Sequence, residues 1–378
     1  MDMTTERPVV IIGAGLAGAG TAWALARRGV PVVVLEQFAT GHRRGSSHGS
    51  ARIVRRGYGD ALYVSLTGRA FELWSELEHA TGATILRRLG GLDFGVRRRP
   101  DAVAGHLAAA GVPHELLSAD EAAQRWPGMV FDSDVVFHEQ AGTMDAAGAV
   151  TTMLGEAQRL GAVVRTETAA VSINGTEVRL ADGRAVTGRC VVAAVGGWLA
   201  PLVGGTVALP PLRVTQQQVF HFPRRDLDRP AWPSVIHEPA GDPMYHLAGG
   251  RDGGPGDDRK VAEHHGGKVI AADASDGIVD AASRERVIAY VERFLPGLEP
   301  TPRGEVTCLY TQTPTEDFLL DRVEDLVLCS PCSGHGAKFA PLIGELTADL
   351  VTGADATSVP DRFRLAAHRS GRVGAVSL

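Results

Sequence analysis

The chain has 378 residues, 44% of them hydrophobic and 22% charged, enough for two domains sharing a large core. A net charge of −6 suggests no nucleic-acid partner, and no apolar run approaches the roughly 20 residues of a membrane helix. Cys190, Cys308, Cys329 and Cys332 are too few for a disulfide scaffold, and the first strand begins almost at once, leaving no room for a signal peptide; a cytoplasmic protein is expected.

Pro8-Val9-Val10-Ile11-Ile12 is an apolar run long enough for one buried strand, and Gly13-Ala14-Gly15-Leu16-Ala17-Gly18 follows directly. Thr21 to Arg28 reads as a helix, with Gly29 at the expected C-cap. Val32 to Leu35 reads as a second buried strand, ended by Glu36. Gly13 permits the tight turn, Gly15 lets the backbone approach a pyrophosphate, and Gly18 allows helix to pack closely on strand. The pyrophosphate would sit on the helix N-terminus, where free N–H groups and the helix dipole favour negative charge. Glu36 stands where a carboxylate accepts ribose hydroxyls. A carboxylate there disfavours a 2′-phosphate, which points to FAD or NAD rather than NADP.

Further along, Gly41 to Gly49 is a polar, glycine-rich loop. Tyr63 to Ala80 has helical periodicity, with Leu66, Ala70, Leu73, Trp74 and Leu77 on one face. Gly90 to Val96 reads as a strand, Ala102 to Gly111 and Ser118 to Trp126 as short helices, and Ala146 to Leu160 as a longer one; Ser118 and Glu121 form a capping-box pair. Val163 to Val186 alternates like strands around an Asp182-Gly183 turn, and Cys190 to Val195 is a buried strand. Gly196-Gly197-Trp198 after it suits either close approach to a cofactor or a tight turn. Leu212 to Tyr245 is strand-like and broken by prolines, while Gly241 to Lys260, rich in Gly, Pro and Asp, reads as a mobile loop. Ser283 to Phe294 is a helix, Leu326 to Cys329 a strand, and Lys338 to Val351 a helix. The nucleotide-binding strands therefore come early, in the middle and late, and the segments between them must build a second domain.

Four local patterns add to the fingerprint: Gly45-Ser46-Ser47-His48-Gly49-Ser50-Ala51-Arg52-Ile53-Val54-Arg55, Lys260-Val261-Ala262-Glu263-His264, Cys308-Leu309-Tyr310-Thr311, and Ser333-Gly334-His335-Gly336-Ala337-Lys338-Phe339. Together they resemble the monomeric sarcosine oxidase and N-methyltryptophan oxidase family of flavoproteins, from about Pro8 to about Thr352. The resemblance implies an α/β fold in which a Rossmann-like FAD-binding domain (residues 1–83, 146–211 and 304–378) is interleaved with an α+β substrate domain on a mixed sheet (84–145 and 212–303).

It also implies roles. Cys308 matches the cysteine that carries FAD through a thioether, and a thiolate could add to an electron-poor isoalloxazine. Ser46, Gly334 and Gly336 fall in motifs expected against the cofactor, beside Gly13, Gly15, Gly18 and Glu36. Arg55 and Lys338 match the pair that binds the substrate carboxylate; an arginine fork suits a carboxylate and the lysine adds a point charge. Only three of the 38 basic residues are lysine, so a position kept as Lys points to a need for a compact ammonium. His48 and Arg52 match residues on the other flavin face, with Arg52 stabilising charge on the reduced ring. Tyr245 and Tyr310 match aromatic pocket walls, and His264 a pocket histidine. Lys260 matches the lysine that activates oxygen, since a fixed cation stabilises superoxide as it forms. The stretch between Tyr245 and Lys260 is longer than the family pattern, which leaves Lys268 as a rival. Asp60 stands where the family often has a longer acid. Cys329-Ser330-Pro331-Cys332 has no second ligand pair, so no metal site is expected.

The implied activity is oxidation of a carboxylate-bearing secondary amine, an N-methyl amino acid or a cyclic imino acid, to its imine, with oxygen reduced to peroxide. The alternatives are a flavin dehydrogenase or desaturase acting on a cyclic imine or amine, and a flavin-binding scaffold without turnover. Arg55 and Lys338 speak against the scaffold. The expected partners are a small amine and oxygen, with no nucleic acid or membrane, acting on a monomer.

Overall fold

Val9–Ile12, Val32–Leu35 and Cys190–Ala193 are runs of β-branched and small apolar residues, buried along their whole length. Burial on both faces is what a parallel strand between helical layers requires, and each large side chain so buried contributes about 1.5–3 kcal/mol. In the computed structural model these three strands are parallel neighbours, with Val9 level with both Val32 and Cys190. The structure describes residues 7–228, 230–355 and 357–369; residues 1–6 and 370–378, which belong to the expected nucleotide-binding segments, lie outside the described residues.

Among the described residues the first sheet runs Leu319–Val323, Leu326–Ser330, Cys190–Ala193, Val9–Ile12, Val32–Leu35, Val163–Arg165, parallel except for the Leu319–Val323 edge. The helix Leu16–Arg27 starts at the glycine motif itself, earlier than expected. Two glycines inside it are explained by close approach. A Cβ on Gly18 would lie 1.9 Å from the Gly13 carbonyl oxygen, and one on Gly20 would lie 2.4 Å from that of Ala340. The second contact is the crossing with the helix Ala340–Thr352, whose Gly344 faces Gly20 in return.

A second, nine-stranded mixed sheet holds Gly91–Phe94, Val135–His138, Ser234–His237, Met244–Ala248, Arg259–Glu263 and the long strand Arg213–Phe222. Gly304–Gln312, expected with the nucleotide-binding segments, pairs along its length with Arg213–Phe222. The segment Gly241–Lys260 departs from the loop reading. Met244–Ala248 is a strand between Ser234–His237 and Arg259–Glu263, and only residues 249–258 remain as connection. Its apolar residues are buried without polar alternation, so the surrounding glycines and aspartates dominate its composition. Most helices keep to the expected spans. Ser118 and Glu121 cap Ala119–Arg125 reciprocally, and Asp145 caps Ala146–Arg159 through the Gly148 N–H. No helix among the described residues is long and apolar enough to cross a membrane.

Candidate active site

A cavity of about 670 Å³ runs between the two sheets, from the glycine turn to the second sheet. That size suits a dinucleotide-sized or drug-sized ligand. At its first end Gly13 has φ +98°, and a Cβ there would press on the Ala194 carbonyl oxygen at 2.5 Å. Gly15 faces the cavity, and a Cβ there would meet the Ser47 hydroxyl at 2.8 Å. Gly18 lies beneath the turn, outside the lining. The Glu36 carboxylate accepts from the Ala14 and Phe38 N–H groups at 2.8 and 3.0 Å, which fixes its direction at the strand end.

The middle of the cavity is closed by the loop around Ser46. Its hydroxyl donates to the Leu309 carbonyl, tying the loop to the strand that carries Cys308 and Tyr310. Arg52 curls back and donates to the carbonyls of His48 and Ala51 at 2.7 and 2.9 Å. Ala51 also accepts from the Lys260 ammonium at 2.9 Å. His48 is buried with no partner on Nε2.

The far end holds Arg55 and Lys338, distant in sequence and joined by Tyr58. Arg55 lies 4.1 Å over the Tyr58 ring, and Lys338 donates to the Tyr58 hydroxyl at 2.9 Å. Lys338 sits in the turn Gly336–Phe339, held where Trp74 donates to its carbonyl at 2.7 Å. Gly334 and Gly336 permit that turn: a Cβ on Gly336 would lie 1.7 Å from the Pro331 oxygen, and one on Gly334 would lie 2.6 Å from the Tyr310 ring. His264 is buried 5.7 Å from that ring, and Tyr245 and Tyr310 both line the cavity. Arg55 is 3% exposed, with Nη1 at 3.6 Å from Asp93, yet neither terminal nitrogen makes a hydrogen bond. Lys268 is an exposed partner of Asp276 at 3.1 Å and lines no part of the cavity.

The profile described as "FAD dependent oxidoreductase" matches residues 8–350. The chain belongs to this family. A monomeric sarcosine oxidase of Streptomyces avermitilis is 33% identical, covering 97% of this chain and 99% of the relative. The peroxisomal sarcosine oxidase of Homo sapiens is 29% identical over 90% and 91% of the two chains. The solved structure of NikD, described as an unusual amino acid oxidase, superposes with a TM-score of 0.84 at 24% identity, covering 96% and 98%; this likeness bears on the fold alone. The fold class expected from sequence is the one observed, a Rossmann-like FAD-binding unit with a second domain.

The glycine cradle and the oriented Glu36 fit the FAD that defines this family. The middle and far end of the cavity are electrostatically unusual. Burial, then Arg52, lowers the Lys260 ammonium to about 7. Burial, then Arg55, holds Lys338 well below its ordinary value. Burial, then Arg52 and Lys260, takes His48 down to about 4. Burial raises the Cys308 thiol, and Arg52 and Lys260 oppose that rise.

Sequence reasoning assigned no role to several residues here. Tyr58 separates the two cations, and its hydroxyl lies 3.3 Å from Nδ1 of His335, whose Nε2 lies 3.1 Å from the Glu316 carbonyl oxygen. Asp93 is gripped by Arg98 at 2.6 and 2.9 Å, which leaves Arg55 incompletely neutralised. An acid within the apolar strand Gly91-Leu92-Asp93-Phe94 was the available signal. Cys329 packs against Thr347, while Cys332 accepts from the Thr311 N–H at 3.4 Å. Among the described residues no group of three His, Cys, Asp or Glu could hold a metal.

Proposed function

We propose that this flavoenzyme oxidises secondary amines bearing a carboxylate, such as an N-methyl amino acid or a cyclic imino acid, and reduces oxygen to peroxide. The observation that carries this reading is Arg55: a buried guanidinium whose two terminal nitrogens lack hydrogen bonds, facing a cavity it shares with Lys338. A buried fork without acceptors is costly unless a ligand supplies them. A carboxylate supplies two in the matching geometry.

Bound FAD would supply the redox chemistry: the carbon beside nitrogen would lose the equivalent of a hydride, and oxygen would receive the electrons. The chain holds it by Gly13, Gly15, Glu36, Ser46, Gly334 and Gly336, with Cys308 as the thioether tether. Arg55 and Lys338 hold the carboxylate, and the Tyr245–Tyr310 pair and His264 wall the amine. The substrate's own neutral amine provides the lone pair, so no side chain need act as general base. His48 on the Ser46 loop and Arg52 at the start of the strand after it would face the flavin, where Arg52 would offset developing negative charge. Lys260 is the oxygen-site cation. None of the four cysteines is paired in a disulfide, which supports a reducing, cytoplasmic setting. A monomer is carried over from the relative that bears that word in its name.

The test is anaerobic mixing of the purified yellow protein with sarcosine, N-methyltryptophan, proline and pipecolate, followed by air. Bleaching by at least one acid, with fast recovery and peroxide, is the expected result. Bleaching with slow recovery in air makes it a dehydrogenase. No bleaching by any of them removes the proposal. Flavin that stays with the acid-precipitated protein, and is released in Cys308→Ser, tests the tether.

A further inference from the structure

The strands Met244–Ala248 and Arg259–Glu263 are antiparallel neighbours, which a turn of about two to five residues would join. The chain instead uses residues 249–258 and sends them away from their own sheet. The excursion closes on itself, with the Gly250 N–H donating to Asp257 at 2.8 Å. Its tip then clasps the loop of the FAD-binding unit. Asp252 Oδ2 accepts from the Ser50 N–H at 2.6 Å, and the Asp252 N–H donates to the Ser50 hydroxyl at 2.9 Å. Arg251 adds an ion pair to Asp145, the cap of the helix Ala146–Arg159.

The next carbonyl after Ser50 is that of Ala51, the acceptor of the Lys260 ammonium. Gly49, with φ +87°, lies against the same group: a Cβ there would be 2.9 Å from Asp252 Oδ2 and 3.3 Å from Arg52 Nη1. The carboxylate thus shares a short backbone segment with Arg52 and with the carbonyl that orients Lys260. Asp252 and Lys260 both line the cavity.

We propose that Asp252 is a positioning residue for Lys260: it clamps the Ser50–Ala51 backbone that aims the ammonium, and it supplies a counter-charge at the oxygen site. This rests on the reading of Lys260 as that site. Lys260 is faced by Arg52 and His48 from the Ser46 loop and its strand, by Cys308 from the strand Gly304–Gln312, by His221 from the strand opposite, and by Asp252 from the excursion. Of these, Asp252 favours the charged lysine, while burial and Arg52 oppose it. Asp252 is itself kept ionised: burial works against the charge, and the Ser50 donors, Lys260 and His221 outweigh it.

The experiment follows flavin reoxidation by oxygen across pH, after anaerobic reduction, in the holoenzyme and in Asp252→Asn, Asp252→Ala and Lys260→Met. Asp252→Asn keeps an acceptor for Ser50 but loses the charge. Its reoxidation should decline with rising pH at a midpoint lower by about one unit, a tenfold effect on the lysine equilibrium. Asp252→Ala also frees the backbone and should slow reoxidation by about tenfold even on the acid side, with flavin content as the check on folding. Lys260→Met should be slow at every pH. An unmoved midpoint in Asp252→Asn beside a slow Lys260→Met overturns the role of Asp252 and leaves the oxygen site standing. Fast reoxidation in Lys260→Met overturns both.

Discussion

The two ends of the cavity are built on opposite principles. The nucleotide end is made by backbone. Gly13, Gly15, Gly18 and Glu36 lie within one strand–helix–strand unit and act through turn geometry, close approach and a fixed acceptor. The reaction end is made by side chains that meet only in the fold: Arg55, Tyr245, Lys260, Cys308 and Lys338 come from five separate segments. They are a guanidinium, two amines, a phenol and a thiol, and burial is the largest influence on the proton affinity of each. Steric fit sets the first end, and desolvation balanced against a few counter-charges sets the second.

The largest effect expected is at the nucleotide end. Gly18→Ala places a methyl 1.9 Å from the Gly13 oxygen, in backbone that cannot yield, so the protein should purify colourless. Gly29→Ala is the contrast: φ is +72° but no atom lies within 4 Å, so it should keep FAD and lose only about 1 kcal/mol in chemical denaturation. Equal losses would mean that conformational strain, not close packing, governs this end.

Next is Arg55→Met, which removes the fork without touching the glycine turn. FAD content should hold, while kcat/KM for a carboxylated amine should fall about 100- to 1,000-fold, the range for losing a buried charge partner of a carboxylate. A fall in FAD content instead would join the two ends that the structure separates.

The smallest effect concerns protons. Lys338 is held well below its ordinary value by burial and then by Arg55, so it gives up its proton at lower pH than an ordinary lysine. A carboxylate binding beside it would favour the charged form, so binding should take up a proton and weaken with increasing pH. Calorimetry with propionate in two buffers of different ionisation enthalpy should show uptake of up to about one proton, lost in Lys338→Met. No uptake would mean that Lys338 is already charged in the free enzyme.

The same contrast explains what could be read in advance. Glycines and a strand-end carboxylate signal through local geometry, so the nucleotide unit was legible from Pro8 to Glu36, apart from a helix that starts at Leu16. Arg55 and Lys338 were recognisable as motif residues, and the fold brings both to Tyr58. Their supports were not legible. Asp93 and Arg98 form a buried pair whose purpose appears only once Arg55 lies beside it. The strand Met244–Ala248 was hidden by the Gly- and Asp-rich residues after it, and so was Asp252. Lys260 and Lys268 are alike in sequence, and only burial separates them: one lines the cavity, while the other pairs with Asp276 on the surface.

Selection of a carboxylate by the buried arginine–lysine pair is tested most directly by anaerobic flavin reduction with an N-methyl amino acid and with its methyl ester, in wild type and in Arg55→Met. The acid should reduce the wild-type flavin at least about 100-fold faster than the ester, and the gap should collapse in the variant. Acid and ester reacting equally fast with wild type would contradict the account.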